Sequence, residues 1–135
     1  MPKITLPAVI ESIETATDFV NGILEDAGCS VRAQIQLDVA LDELLSNVAR
    51  YAYAGGEGDF TVSVEILEDP KRAVLTITDE GIPYDPLQKE DPDVTLATDE
   101  RDIGGLGIFI VKKSMDDITY AYEGGKNILS IFKKI

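Results

Sequence analysis

Residues 41–52 read LDELLSNVARYA and indicate an amphipathic helix that carries two polar groups on one side. Apolar residues recur every three or four positions, which is the spacing of a helix face packed on a core. Glu43 and Asn47 are four residues apart, so their side chains project the same way. Leu44 and Val48 occupy the neighbouring, core-facing stripe. The stretch therefore predicts a helix that covers a core and holds a carboxylate and an amide at its margin.

A second motif, Asp79-Glu80-Gly81-Ile82-Pro83-Tyr84-Asp85-Pro86, directly follows a strand-like stretch. Asp79 leaves the end of that strand, where a carboxylate can accept a hydrogen bond from the exocyclic amine of adenine. Gly81 lets the backbone pass close to a ligand. Pro83 stiffens the turn, and Tyr84 and Pro86 can form walls beside a base. A plain turn is the alternative for this motif in isolation.

A third motif, Gly104-Gly105-Leu106-Gly107, opens another helical run. Free backbone N–H groups at a glycine-rich helix start attract phosphate oxygens. Just upstream, Arg101 could reach a terminal phosphate, although a solvated arginine is the alternative. An amide oxygen such as that of Asn47 suits Mg²⁺, and Glu43 could deprotonate an attacking hydroxyl or water. The three motifs in this order favour a magnesium–nucleotide pocket.

The remaining pattern predicts one α+β domain over residues 1–135. Alternation predicts strands over 4–6, 60–66, 73–78, 118–122 and 127–132, and three-to-four spacing predicts helices over 7–27, 30–52 and 105–115. Pro7 is expected in the first helical turn, and Ser30 is expected to cap the second helix. This order indicates a two-layer α/β sandwich, with a mixed, mostly antiparallel sheet covered on one face by helices. The aperiodic segment 86–103 is expected to form a lid.

Composition narrows the chemistry further. The chain has 135 residues and a net charge of −13, which disfavours direct nucleic-acid binding. This charge would steer a protein partner with a basic surface, and a contribution to solubility alone is the alternative. It contains no histidine, which removes phosphohistidine chemistry, histidine-based nucleophile pairs and an ordinary zinc site. Cys29 is the only cysteine, which fits a reducing cytoplasm. No signal peptide or membrane span is predicted.

Together the motifs resemble those of the Bergerat-fold (GHKL, histidine-kinase-like) ATPases. Within that group the chain looks most like the anti-sigma-factor serine/threonine kinases of the RsbW and SpoIIAB type. Residues 43–53 match the family's N box, 79–86 match its Asp-x-Gly-x-Pro box, and 100–109 resemble its lid-to-helix segment. Residues 115–117 and 125–129 also read like the family's C-terminal part.

The resemblance implies an ATP site with a bound Mg²⁺ and phosphoryl transfer to a protein serine. Asn47 would hold the metal, Glu43 would act as the base, and Asp79 and Gly81 would bind adenine. The glycines of the third motif would hold phosphates beneath a mobile ATP lid. The full set implied to contact nucleotide is Asn47, Arg50, Asp79, Gly81, Ile82, Pro83, Tyr84, Gly104, Gly105, Leu106, Gly107 and Ile108.

The family also implies a homodimer that sequesters a sigma factor and phosphorylates a STAS-domain anti-anti-sigma protein. Two positions depart from its pattern: Tyr51 stands where histidine is frequent, and Asp102 where proline is frequent. An ATP-sensing binding module without phosphotransfer is the second hypothesis, because binding and catalysis would use the same pocket. A sensor histidine kinase domain is disfavoured, since its phosphoacceptor histidine helix has no counterpart here.

Overall fold

One antiparallel sheet organises the part of the chain that the computed structural model describes, residues 1–54, 56–88 and 103–135. Its strands are β1 (Lys3–Pro7), β2 (Asp59–Leu67), β3 (Arg72–Asp79), β4 (Asp117–Glu123) and β5 (Lys126–Lys134). The strand order is β1-β2-β3-β5-β4, and all four neighbouring pairs in this sheet run antiparallel. The β4–β5 hairpin turns at Gly124 and Gly125, both with positive φ, between the strands predicted over 118–122 and 127–132.

Helices α1 (Ile13–Asp26), α2 (Val31–Asn47) and α3 (Ile103–Ser114) cover one face of this sheet. In β2, Phe60, Val62 and Val64 are buried, whereas Thr61 and Ser63 are only half-buried on the opposite face. Their helical partners in the core are Val20, Leu24, Leu37, Leu41, Leu45, Ile108 and Val111. Burying one such large side chain stabilises the fold by roughly 1.5–3 kcal/mol. The predicted α+β sandwich is confirmed, and its core fixes α2 over the sheet.

Two predicted helix boundaries are confirmed. Gly28, with φ of +76°, follows the end of α1 in a backbone conformation that glycine adopts without strain. Ser30 is the N-cap of α2, and its hydroxyl accepts a hydrogen bond from the backbone N–H of Ala33 at 3.2 Å. Because the connection from Gly28 to Ser30 is short, α1 and α2 lie side by side and run antiparallel.

The predicted start of the first helix is wrong. Pro7 is the last residue of β1, where it pairs with Asp59, and a 3₁₀ turn over Ile10–Ser12 precedes α1. Because β1 is an edge strand, proline can end it without breaking a ladder in the middle of the sheet. Val9, which falls within the predicted helix over 7–27, instead precedes the 3₁₀ turn and is exposed.

The second helix also ends differently from the prediction. Its α-helical part stops at Asn47, and Val48–Ala52 form a π-helical turn rather than a continuation to Ala52. The carbonyl of Ala52 lies against the turn after β3 and accepts the N–H of Ile82 at 2.8 Å. The end of the π-helical turn therefore has a hydrogen-bond partner outside the helix. The periodicity of residues 41–52 cannot reveal a partner so distant in the sequence.

A polar pair joins α1 to α2. Asn21 Nδ2 donates to Asp38 Oδ2 at 3.2 Å, while the Oδ1 atoms of both residues are buried without a partner among the described residues. Burial raises the pKa of Asp38, and the negative charge of Glu25 raises it further, although the bond from Asn21 opposes the shift. The ionised form of Asp38 is therefore disfavoured in the folded protein.

Replacing Asp38 with asparagine is expected to stabilise the protein, by at most about 1 kcal/mol, because an amide offers a donor to the unpartnered oxygen of Asn21. Since the folded pKa is raised, Asp38 supports folding below its unfolded pKa, and this support is lost as pH rises through the folded pKa. The gain in melting temperature, roughly 3–5 °C, should thus appear at neutral pH and fade towards about pH 4. Asp18→Asn, an exposed change on α1, is the matched control. Equal stabilisation by both variants would contradict the explanation.

Candidate functional site

A pocket that is partly open to solvent lies between the C-terminal end of α2 and the sheet. Its wall is mostly apolar and aromatic, with three polar side chains among its lining residues. The lining residues are Leu44, Asn47, Val48, Tyr51, Ala52, Ile77, Asp79, Ile82, Tyr84, Pro86, Tyr120, Asn127 and Leu129. An apolar cleft with a few fixed polar groups suits a flat, heteroaromatic ligand. Asn47, Asp79 and Tyr84, which come from two of the three motifs, line this one pocket.

Asp79 supplies a buried carboxylate at the end of β3, with 6% of its surface exposed. Its Oδ1 accepts the backbone N–H of Gly81 at 2.9 Å and the side-chain amide of Asn127 at 2.9 Å. Hydrogen bonds to a carboxylate offset the free energy lost when it leaves water. Both bonds fall on Oδ1, so Oδ2 is the atom that a ligand's donor could use.

Asn127 is a site residue that sequence reasoning missed. It pairs directly opposite Asp79 in the β3–β5 register and is 6% exposed. The sequence feature that could have identified it is the alternation of β5. Asn127 is in step with Leu129 and Ile131, which point inward, yet Asn127 is polar. A polar residue at an inward strand position needs buried partners, and here those partners belong to the pocket.

Gly81 is required by a close backbone approach. An ideal Cβ at this residue would lie 2.1 Å from the carbonyl oxygen of Ala52, which is backbone and cannot step aside. The adjacent N–H of Ile82 bonds to that same oxygen. Gly81 therefore joins the second motif to the π-helical turn that ends the first, which is a role beyond the predicted close passage of a ligand.

Tyr53 holds the same turn from its other side. Its hydroxyl accepts the N–H of Glu80 at 2.9 Å and donates to the carbonyl of Asp59 at 2.5 Å. Burial raises the pKa of this hydroxyl, which keeps it protonated and able to donate at neutral pH. A Cβ on Gly58 would overlap the tyrosine ring. The turn after β3 is thus anchored at Glu80, at Gly81 and through Asn127.

Two tyrosines stand beside the pocket. The ring centroids of Tyr51 and Tyr84 are 6.1 Å apart, and the rings are tilted by 37°. This geometry is typical of an aromatic pair in contact. Tyr51 is 48% exposed, so its ring borders solvent as well as the pocket. Tyr84 and Tyr51 together form an aromatic side of the pocket.

Glu43 lies one helical turn before Asn47 on α2, as the spacing predicts. Asn47 is 9% exposed and lines the pocket, whereas Glu43 is half-buried with its carboxylate against Gly107 of α3. An ideal Cβ at Gly107 would lie 2.1 Å from both Cδ and Oε1 of Glu43. The first and third motifs are therefore in contact, at the side of the pocket where α2 and α3 pack together.

Helix α3 begins at Ile103, two residues before its predicted start at residue 105, so the whole third motif lies inside it. Gly104 and Gly105 occupy its first turn, where backbone N–H groups lack partners within the helix. The side chain of Ile108 is buried in the core, so only its backbone could face a ligand. Leu106 belongs to the same helix.

Two other predicted site residues, Arg50 and Pro83, do not line the pocket. Arg50 is exposed on the π-helical turn, and Pro83 is exposed beyond Ile82. Residues 89–102, which include Arg101 and most of the predicted lid over 86–103, lie outside the described residues. Their predicted contacts with nucleotide thus stay predictions. Among the described residues, no helix has the length and apolar composition needed to cross a membrane.

Several known proteins are similar to this chain in amino-acid sequence. Residues 6–133 match the family described as the histidine kinase-like ATPase domain. The serine-protein kinase RsbW of Listeria monocytogenes is 31% identical over 134 aligned residues, covering 94% of this chain and 84% of that protein. The serine/threonine-protein kinase BtrW of Bordetella bronchiseptica is 26% identical over 102 residues, covering 76% of this chain and 71% of the relative. The serine-protein kinase RsbW of Staphylococcus aureus is 25% identical over 132 residues, covering 93% of this chain and 82% of that protein.

Proposed function

The chain belongs to the histidine kinase-like ATPase domain family, and from that premise we propose that it is an ATP-dependent protein serine/threonine kinase with an anti-sigma role. Its relatives from Listeria and Staphylococcus are named serine-protein kinases. The observation that supports this role best is one pocket shared by Asp79 and Asn47, with Glu43 one helical turn away.

The pocket's chemistry fits adenine. Asp79 offers a buried carboxylate to a donor such as the exocyclic amine, while guanine would present an oxygen there and be repelled. Apolar side chains from α2 and β3, including Leu44 and Ile77, face the same space. Tyr84 and Ile82 close it on the side of the second motif. A triphosphate would extend towards Asn47 and the start of α3, where free backbone N–H groups favour negative charge.

The donor set also fits a divalent cation held together with phosphates. When bound, Mg²⁺ would neutralise charge developing on the phosphoryl group. The amide oxygen of Asn47 is a suitable hard ligand for that ion. In transfer, Glu43 accepts the proton of a serine hydroxyl as its oxygen attacks the γ-phosphorus. The bond from that phosphorus to the bridging oxygen breaks, and ADP leaves. Arg101 would stabilise the transferred group, and Arg50 and Pro83 stay proposed contacts.

The partners we propose are a STAS-domain anti-anti-sigma protein as phosphoacceptor and a sigma factor as sequestered ligand. The acidic chain, with a net charge of −13, would speed association with a basic partner in a salt-dependent way. A homodimer acting in the cytoplasm completes the proposal. The alternative, an ATP-sensing binding module without phosphotransfer, needs the same pocket.

Phosphate transfer from γ-labelled Mg-ATP to a purified STAS-domain protein of the same organism tests this function. Acid-stable label on a serine or threonine of that protein is the expected result. Nucleotide binding and a stable complex without transfer would favour the ATP-sensing module instead. Failure to bind ATP at all would overturn both versions.

Asn47→Ala is expected to reduce the gain in ATP affinity that Mg²⁺ provides, because the ion loses a protein ligand. Loss of a group that positions a metal typically lowers metal affinity about 10–100-fold. Affinity for ATP in the presence of EDTA should change little, since the contacts to the base remain. Calorimetric titrations with and without Mg²⁺ measure the difference, with the neighbouring Ser46→Ala as control. An unchanged Mg²⁺ effect would remove Asn47 from the metal site.

A further inference from the structure

The side chain of Asn127 uses all of its hydrogen-bonding capacity on the end of β3, the turn that follows it, and Tyr120 of β4. Its Nδ2 donates to Oδ1 of Asp79 and to the carbonyl of Ile82, both at 2.9 Å. Its Oδ1 accepts the backbone N–H of Tyr84 at 3.2 Å and the hydroxyl of Tyr120. An amide has two N–H donors and two acceptor lone pairs, so all four are engaged.

These partners fix which way the amide points. The backbone N–H of Tyr84 can only donate, and the carbonyl of Ile82 can only accept, so exchanging the amide oxygen and nitrogen would oppose like groups at both positions. Burial raises the pKa of the Tyr120 hydroxyl and keeps it a donor to the same oxygen. Because Asn127 has no spare capacity, it cannot also bond a ligand without giving up one of these contacts.

We propose that Asn127 is a positioning residue for base recognition: it holds Oδ1 of Asp79 and the 79–84 turn together, so that Oδ2 is presented to the exocyclic amine of adenine. This inference rests on the proposed function, since it assumes an adenine base in the pocket. Asn127 connects Asp79, at the bottom of the pocket, to Tyr84 and Ile82 at its wall. One side chain therefore sets the spacing between the selecting carboxylate and the surfaces that hold the base.

The test is the preference of the protein for ATP over purine riboside 5′-triphosphate, which differs only by lacking the 6-amino group. A hydrogen bond to a charged carboxylate corresponds to a preference of roughly 10–100-fold in the wild-type protein. Calorimetric titration of both nucleotides gives this ratio independently of any general loss of affinity. A role confined to folding would weaken both nucleotides equally and leave the ratio unchanged.

Asn127→Asp is the main variant, because it replaces the donor facing Asp79 with an oxygen of the same size. At about pH 8 two carboxylates would oppose each other, and the preference for ATP should fall to about one. At about pH 5.5 a shared proton can restore the donor, so the preference should partly return, whereas the wild-type ratio should not rise. Ser130→Ala is the control, since it removes a bond to Thr76 from the same strand pair on the opposite face.

Tyr120→Phe keeps the test decisive if the main variant does not fold. It removes one of the two donors to Asn127 and should lower the preference by a smaller factor, about threefold. A wild-type ratio in either folded variant would overturn the inference while leaving the proposed function intact. Failure of the wild-type protein to bind ATP would overturn both.

Discussion

Replacing Glu43 with glutamine is expected to slow phosphoryl transfer by about 10²–10⁴-fold, the usual contribution of a general base, while ATP affinity stays close to that of the wild type. Glu43 lies beside the pocket rather than in its lining, so the contacts to the base do not depend on its charge. Glutamine keeps the size of the side chain and its packing against Gly107. The change therefore removes the proton acceptor while keeping the shape of the side chain at this position.

Single-turnover transfer from labelled Mg-ATP to the STAS-domain protein measures this effect, and titration with nucleotide measures binding separately. Asp42→Asn is the matched control, because it amidates an exposed carboxylate on the adjacent position of α2. Its transfer rate should equal that of the wild type. Robust transfer by the Glu43 variant would exclude the carboxylate as the base and would leave positioning and charge stabilisation as the sources of catalysis.

Local patterns predicted most of the fold because each depends on neighbouring residues. The alternation of Phe60, Val62 and Val64 with small polar residues identifies β2, and the pair Gly124-Gly125 identifies a hairpin turn. Ser30 identifies the start of α2 through a bond that spans three residues. The N-terminal error has the same origin, since proline ends an edge strand as readily as it begins a helix.

The site was less predictable because its connections join distant parts of the chain. Asn127 meets Asp79 only through the register of β3 and β5, and Tyr53 meets Glu80 only once β2 lies beside β3. The chemical groups of the motifs were visible in the sequence, but the residues that orient them were not. Gly107 illustrates the difference. In the sequence, the missing side chain suggests space for a phosphate. In the structure, the space beside Gly107 holds the carboxylate of Glu43 from α2.

Gly107→Ala is expected to reduce phosphoryl transfer by about 100-fold without unfolding the protein. The added Cβ would lie 2.1 Å from Cδ and Oε1 of Glu43 and 2.6 Å from its Oε2. These atoms are the far end of a flexible side chain, so the overlap is relieved by moving the carboxylate rather than the backbone. A displacement of about 1 Å at a reacting group can cost about 100-fold in rate.

Gly22→Ala is the control for a glycine replaced within a helix. Nothing lies within 4 Å of the added Cβ on α1, and alanine should stabilise that helix by about 0.5–1 kcal/mol without changing transfer. Melting temperatures of both variants separate folding from catalysis. If the Gly107 variant transfers phosphate at the wild-type rate, then the packing of Glu43 against α3 has no catalytic importance.

Combining Gly107→Ala with Glu43→Gln shows whether the alanine at position 107 slows transfer by displacing the Glu43 carboxylate. If Gly107 acts by leaving space for the Glu43 carboxylate, the double variant should be no slower than Glu43→Gln, because the group that is displaced no longer accepts a proton. Independent effects would multiply, and the double variant would then be about 100-fold slower still. That second outcome would mean that the glycine acts on the nucleotide through α3, as the sequence motif suggests, and not through the neighbouring carboxylate. Residues that act as a unit give strongly non-additive kinetics, so the two outcomes differ by far more than the error of a rate measurement.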